Sequence, residues 1–194
     1  MKKVIKSAIA LFIISLFIKV LGPLKHYLIA DTFGLSRKLD AYFFSQNTID
    51  TVIAGISFPI IILLVPIFTK ELNKPNKAKL NSIDSFISQV IVISLIISIA
   101  MIGLSRAASN LIPGFSEISV QGDLAKFLTV NSAALVFLVP FAVFTGYFHS
   151  NDRVAFPSFL DSIKVFLGIL FLLLFSNVLD IYSLPFGYFS GALL

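Results

Sequence analysis

The sequence predicts an all-α fold: a polytopic transmembrane helical bundle. Composition is the first observation. Of 194 residues, 57% are hydrophobic and 13% are charged, where a soluble domain carries about 25% charge. A chain of this size cannot hide that much apolar surface inside one globule. The second observation is the length of the apolar stretches, several of which reach the roughly 20 residues that cross a bilayer. The third is their continuity. They do not alternate apolar and polar as barrel strands do, and in hydrocarbon only a helix or a closed barrel satisfies its own backbone.

Five full spans and the beginning of a sixth follow from the pattern. The first covers Val4 to Ala30. It follows Met1-Lys2-Lys3 without a small-residue cleavage site, so it reads as an uncleaved span and not a signal peptide. A polar loop from Asp31 to Lys38 precedes the second span, Leu39 to Phe68. A lysine-rich loop, Lys70 to Asn81, leads to the third, Ile83 to Leu104. Arg106 to Gln121 is a loop around Pro113-Gly114-Phe115. The fourth span runs from Leu124 to Tyr147, with Pro140 expected to kink it. The fifth runs from Val154 to Leu179, and Ser183 to Leu194 is apolar but too short to span. The expected domain is one transmembrane bundle over residues 1–194, the first part of a longer two-bundle transporter.

Basic residues in short loops orient a membrane protein. With the N-terminus in the cytoplasm, Lys2, Lys3, Lys6, Lys70, Lys74, Lys77, Lys79 and Arg153 lie inside, while Arg37, Lys38, Arg106 and Lys126 lie outside. That balance favours a cytoplasmic N-terminus. It also accounts for the net charge of +5 without nucleic-acid binding.

Polar groups inside spans carry the functional signal, because a charge at bilayer depth costs about 2.5–3.5 kcal/mol on insertion scales. Lys19, Lys25 and His26 fall on the first helix, and Asp40, Asn47 and Asp50 on the second. At a rise of about 1.5 Å per residue, Lys19 and Asp50 each lie roughly 15 Å below the outer surface. Lys25 falls level with Gln46 and Asn47. Lys19 and His26 share one face, and Asn47, Asp50 and Thr51 share another. These positions predict a polar seam between helices one and two, open outward, with Lys19 beside Asp50. The seam is either a structural pair or a hydrated cavity that receives a polar or anionic group. Gly22-Pro23 is a kink or a point of flexure. Asp161 and Lys164 are spaced to pair along one helix, which reads as structural or interfacial. His149 reads as interfacial, and Asp152-Arg153 as a helix-end loop.

Several chemistries are excluded. There is no cysteine and there are two histidines, without carboxylates at metal-ligand spacing. No glycine-rich phosphate loop occurs, and no nucleophile stands beside a base. No enzyme, metal or cofactor is expected.

A set of short motifs resembles one family. Lys19-Val-Leu-Gly-Pro-Leu-Lys25 is similar to an Arg-x-x-Gly-x-x-Arg pattern on a first helix. Leu28-Ile-Ala, Phe33-Gly34 and Asp40-Ala-Tyr-Phe43 follow in order, then Val65-Pro66-Ile67-Phe68, Pro113-Gly114-Phe115, and Asn151-Asp152-Arg153 with Pro157. Together they resemble the MurJ/MviN lipid II flippases of the multidrug/oligosaccharidyl-lipid/polysaccharide exporter superfamily. The resemblance implies a bacterial inner-membrane protein that moves an undecaprenyl-pyrophosphate-linked sugar between leaflets by alternating access, with membrane lipids and a coupling ion as further partners. It matches Lys19 and Lys25 to two arginines that would contact pyrophosphate, and Asp40 to the family's aspartate. Substrate-binding candidates are therefore Lys19, Lys25, Asp40, Asn47 and Asp50. The chain departs from the pattern on the second helix, where basic groups are missing and Asp50 is present. A divergent relative that serves another lipid-linked saccharide fits these departures. The alternatives are a cation-coupled small-molecule exporter of the same superfamily and an inactive membrane scaffold.

Overall fold

The computed structural model describes residues 2–72, 76–115 and 117–193, with side chains over 9–70, 85–115 and 117–193. The described residues form helices and no strands. Helix α1 is Lys2–Phe33, α2 Arg37–Leu72, α3 Asn76–Leu111, α4 Ile118–Ala133, α5 Leu135–Ser150, α6 Ala155–Leu179 and α7 Ser183–Ala192, with a 3₁₀ turn at Asp180–Tyr182 between the last two. Five segments are long and apolar enough to cross a membrane, α4 with α5 and α6 with α7 each counting as one. Large apolar side chains such as Phe12, Ile62 and Leu63 are exposed on their outer faces, as lipid-facing positions are.

The loops are shorter than the sequence suggests. α2 runs through Leu72 and α3 starts at Asn76, so most of the expected Lys70–Asn81 loop is helix. Of the expected loop from Arg106 to Gln121, α3 takes in the residues up to Leu111 and α4 those from Ile118. Helices continue past the hydrocarbon because their ends gain backbone hydrogen bonds whatever the side-chain polarity. The lysines at 2, 3, 6, 74, 77 and 79, on which the orientation reading leans, lie outside the residues with described side chains. The turn from α1 to α2 rests on Gly34, whose φ of 62° is left-handed and whose N–H closes on the Ala30 carbonyl at 2.9 Å, a glycine helix stop.

Proline has a smaller effect than the sequence implies. α1 passes through Pro23 without a break; the residue removes only the bond to the Lys19 carbonyl. In the fourth span the break falls at Ala134, six residues before Pro140. Ser98 on α3 donates its hydroxyl to the Ser132 carbonyl there at 2.8 Å. Asn131 donates to Ser45 Oγ of α2 at 2.7 Å, and Ser105 meets Thr129 at 3.0 Å. Short polar side chains thus hold α2 and α3 against the α4–α5 helix, the most buried of the five spans, as in membrane bundles generally.

α2 packs on α4 and α5, α3 on the same pair from its other side, and α1 on α6. α7 folds back antiparallel on α6. A Cβ at Gly187 would lie 3.3 Å from the Gly168 carbonyl oxygen, and one at Gly191 would lie 2.9 Å from the Lys164 carbonyl oxygen. Glycine at these positions lets the two backbones meet. One apolar cluster, with Ile29, Tyr42, Phe127 and Leu172, fills the half near the 34–36 turn. A second, with Ile49, Leu64, Phe68 and Val139, fills the other half.

A polar clamp closes the 34–36 end. Arg37 pairs with Glu117 at 2.9 Å. The buried Asp123 carboxylate faces Lys38 at 3.5 Å and Lys126 at 3.8 Å, and accepts a hydrogen bond from the Tyr182 hydroxyl. Lys126 also donates to that hydroxyl at 3.1 Å. The clamp ties α2, α4 and the 3₁₀ turn together.

Candidate functional site

Between the two apolar clusters the bundle carries charge. Asp50 of α2 points at α7, where the Tyr188 hydroxyl donates to Asp50 Oδ1 at 2.7 Å. Lys25 of α1 lies within electrostatic reach of both Asp50 and Lys164. Its side chain runs beside α6, with Cε 3.9 Å from where a Cβ on Gly168 would stand. Lys164 pairs with Asp161 one turn away at 2.9 Å.

Asp50, Asp161, Lys164 and Tyr188 line a cavity of about 290 Å³, along with Ser57 and Thr145. The Ser57 hydroxyl is buried and has no hydrogen-bond partner. The same is true of the Tyr42 hydroxyl, which lies within the field of Asp50. A second cavity of about 310 Å³ adjoins the first and shares Leu138, Phe141, Asp161 and Lys164 with it. Its remaining lining is mostly apolar and includes Ile91, Phe137 and Phe144. A charged compartment therefore continues into a greasy one.

The expected seam between α1 and α2 is only partly present. The two helices meet near the 34–36 turn, where Ile29 joins the cluster of Leu39 and Tyr42 and the His26 and Phe43 rings lie 5.5 Å apart. Deeper in the bundle α1 follows α6 instead. Lys19 is exposed and makes no ion pair with Asp50; the cation near Asp50 is Lys25. Counting Cα depths misplaces the pair because helical side chains lean toward their own N-terminus. Lys25 leans away from the 34–36 turn, and Asp50, on the antiparallel helix, leans toward it. The two converge, and Lys19 leans further off.

Asp40 and Asn47 are exposed and lie outside both cavity linings. Asp40 sits in the first turn of α2, where a carboxylate complements the helix dipole. Of the five residues singled out from sequence, Lys25 and Asp50 come together. Asp161 and Lys164, read from sequence as a structural pair, do pair, and they also line the cavity. Tyr188 was not anticipated. A tyrosine in an apolar helix needs a partner for its hydroxyl when buried, and that was its available signal.

Comparison with known proteins gives one structural likeness. No family model matches the chain, and no curated protein matches it. Among solved structures it is similar to a chain described as "Lipid II flippase MurJ, inward closed conformation", with a TM-score of 0.77 and 23% sequence identity. The likeness covers 97% of this chain and 39% of the flippase chain. The fold is MurJ-like. This chain spans well under half the length of the protein it resembles.

Proposed function

We propose that the chain forms the first helical bundle of a flippase for lipid-linked saccharide precursors. The cavity pair carries this reading. A compartment with Lys164 in its lining and Lys25 beside it suits a pyrophosphate, and the adjoining apolar compartment suits the start of a polyprenyl chain. The MurJ-like fold supplies the precedent for moving such an amphiphile. Lysine holds a phosphate as a point charge and not in the bidentate grip of arginine, so a saccharide-pyrophosphate headgroup other than lipid II is the favoured cargo.

In this reading the protein sits in a bacterial inner membrane with its N-terminus in the cytoplasm. Lys25 and Lys164 are the cations that meet the pyrophosphate, and Asp50 and Tyr188 shape the site. Lys19, Asp40 and Asn47 stand on exposed faces outside it. Transport by alternating access needs a second bundle to rock against the first, supplied by further chain or by a second copy.

The test is binding of an undecaprenyl-pyrophosphate-linked disaccharide to the purified chain in nanodiscs, followed by native mass spectrometry. The parent chain binds it in preference to undecaprenol, and Lys25→Gln loses about tenfold in affinity, the scale of one charge-assisted contact. Equal binding of the pyrophosphate-linked lipid and undecaprenol overturns the proposal.

A further inference from the structure

Asp50 is an anion placed beside the cation that the proposed cargo requires. Its carboxylate lines the cavity and lies within reach of the Lys25 charge. Yet it is not in contact with either lysine. Among the described residues its hydrogen-bond partner is the Tyr188 hydroxyl, at 2.7 Å. Lys164 is engaged by Asp161, whereas Lys25 has no hydrogen bond or ion pair among the described residues. The cluster of Lys25, Lys164, Asp50 and Asp161 is formally neutral.

Building on the flippase reading, we infer that Asp50 is the resident counter-anion of Lys25, held off contact by Tyr188, so that the carboxylate and an incoming pyrophosphate compete for the same cation. Two negative groups at one lysine repel each other, so Asp50 limits how tightly the cavity holds its cargo. A flippase needs that limit, because a site that binds too tightly does not release. Tyr188 is the positioning residue. It sits on α7, which is anchored to α6 through the glycine contacts at 187 and 191, and its hydroxyl fixes the distance between the carboxylate and the lysine. Entry of the anion pushes Asp50 toward α7, and loss of the anion lets it return.

Two neighbouring substitutions should then act in opposite directions. Asp50→Asn keeps an acceptor for the Tyr188 hydroxyl and removes the charge. Tyr188→Phe keeps the ring and releases the carboxylate to pair with Lys25. Binding is measured for undecaprenyl pyrophosphate in nanodiscs and for inorganic pyrophosphate in detergent solution, with folding checked by circular dichroism. Asp50→Asn tightens binding of both probes by about tenfold, the size of effect one partly screened neighbouring charge produces. Tyr188→Phe weakens both several-fold. In a Lys25→Gln background neither change alters affinity, since coupled residues are non-additive. General damage to the bundle would move both variants the same way, so weaker binding in Asp50→Asn overturns the inference, as does unchanged binding. The two claims fail separately. If the parent binds the lipid and Asp50→Asn does not tighten it, the counter-anion idea is wrong and the flippase reading stands. If Asp50→Asn tightens inorganic pyrophosphate while no form binds the lipid, the counter-anion stands and the flippase reading falls.

Discussion

The contact between α6 and α7 depends on the absence of a side chain at Gly191, and adding one methyl group measures that dependence. In Gly191→Ala the new Cβ would lie 2.8 Å from Lys164 Cγ and 2.9 Å from the Lys164 carbonyl oxygen. The lysine methylene can swing aside. The carbonyl belongs to the α6 backbone and cannot, so α7 must move outward by several tenths of an ångström. Overpacking of this kind costs about 1–3 kcal/mol. For a protein of this size each kcal/mol lowers the melting temperature by about 2–4 °C, which puts the expected fall near 6 °C. Gly103 is the control. Nothing lies within 4 Å of a Cβ built there, and it sits inside α3, where alanine is favoured over glycine by up to about 1 kcal/mol. Gly103→Ala should therefore hold or raise the melting temperature. The assay is thermal unfolding in detergent followed by circular dichroism at 222 nm (the helix band). A Gly191→Ala protein as stable as Gly103→Ala would refute the close approach of α7 to α6, and with it the placement of Tyr188 against Asp50.

The clamp at the 34–36 end should divide sharply by burial. Asp123 is 8% exposed and serves two lysines and a tyrosine, so Asp123→Ala should lower stability by about 1–3 kcal/mol. Arg37 and Glu117 pair with side chains 63% and 56% exposed, so Arg37→Ala should change it by less than about 1 kcal/mol; the same thermal assay reads both. Asn131→Ala removes a fully buried hydrogen bond to Ser45 and should cost about 1 kcal/mol, the range found for polar contacts between membrane helices. The chain has no cysteine, so single cysteines report sidedness directly. Leu35→Cys should react with an impermeant maleimide in intact cells and Arg153→Cys only after lysis, and the reverse pattern would invert the proposed orientation.

The bundle was legible because hydrocarbon imposes one rule on every span. The apolar run from Val154 to Leu179 matches α6 nearly residue for residue, since nothing but length and hydropathy decides it. Helix ends were less legible. The polar residues around Lys70 and Arg106 read as loop, yet helices extend into them, because charged side chains beyond the hydrocarbon do not oppose helix formation. The break at Ala134 carries no local signature. It is held by Ser98 on a neighbouring helix, which only the tertiary structure brings there. The site was half legible. Intramembrane charge drew attention to Lys25 and Asp50, and depth alone paired the wrong lysine because it ignored how side chains lean along antiparallel helices. Asp161 and Lys164 were read as a structural or interfacial pair from their spacing; their place in the cavity comes from α7 folding back over α6. Asp40 matched a family motif in sequence and stands at the start of α2, away from the cavities.

The central claim is that a lipid-linked pyrophosphate lodges between α2, α5, α6 and α7. The most direct measurement is photocrosslinking of the chain in nanodiscs with an undecaprenyl-pyrophosphate probe carrying a diazirine beside the pyrophosphate, followed by peptide mapping. The account predicts adducts on peptides containing Asp50 to Ser57, Asp161 to Lys164 and Tyr188, reduced by unlabelled undecaprenyl pyrophosphate. Adducts confined to outward-facing positions such as Phe12, Ile62 and Leu63, and insensitive to competitor, would contradict it.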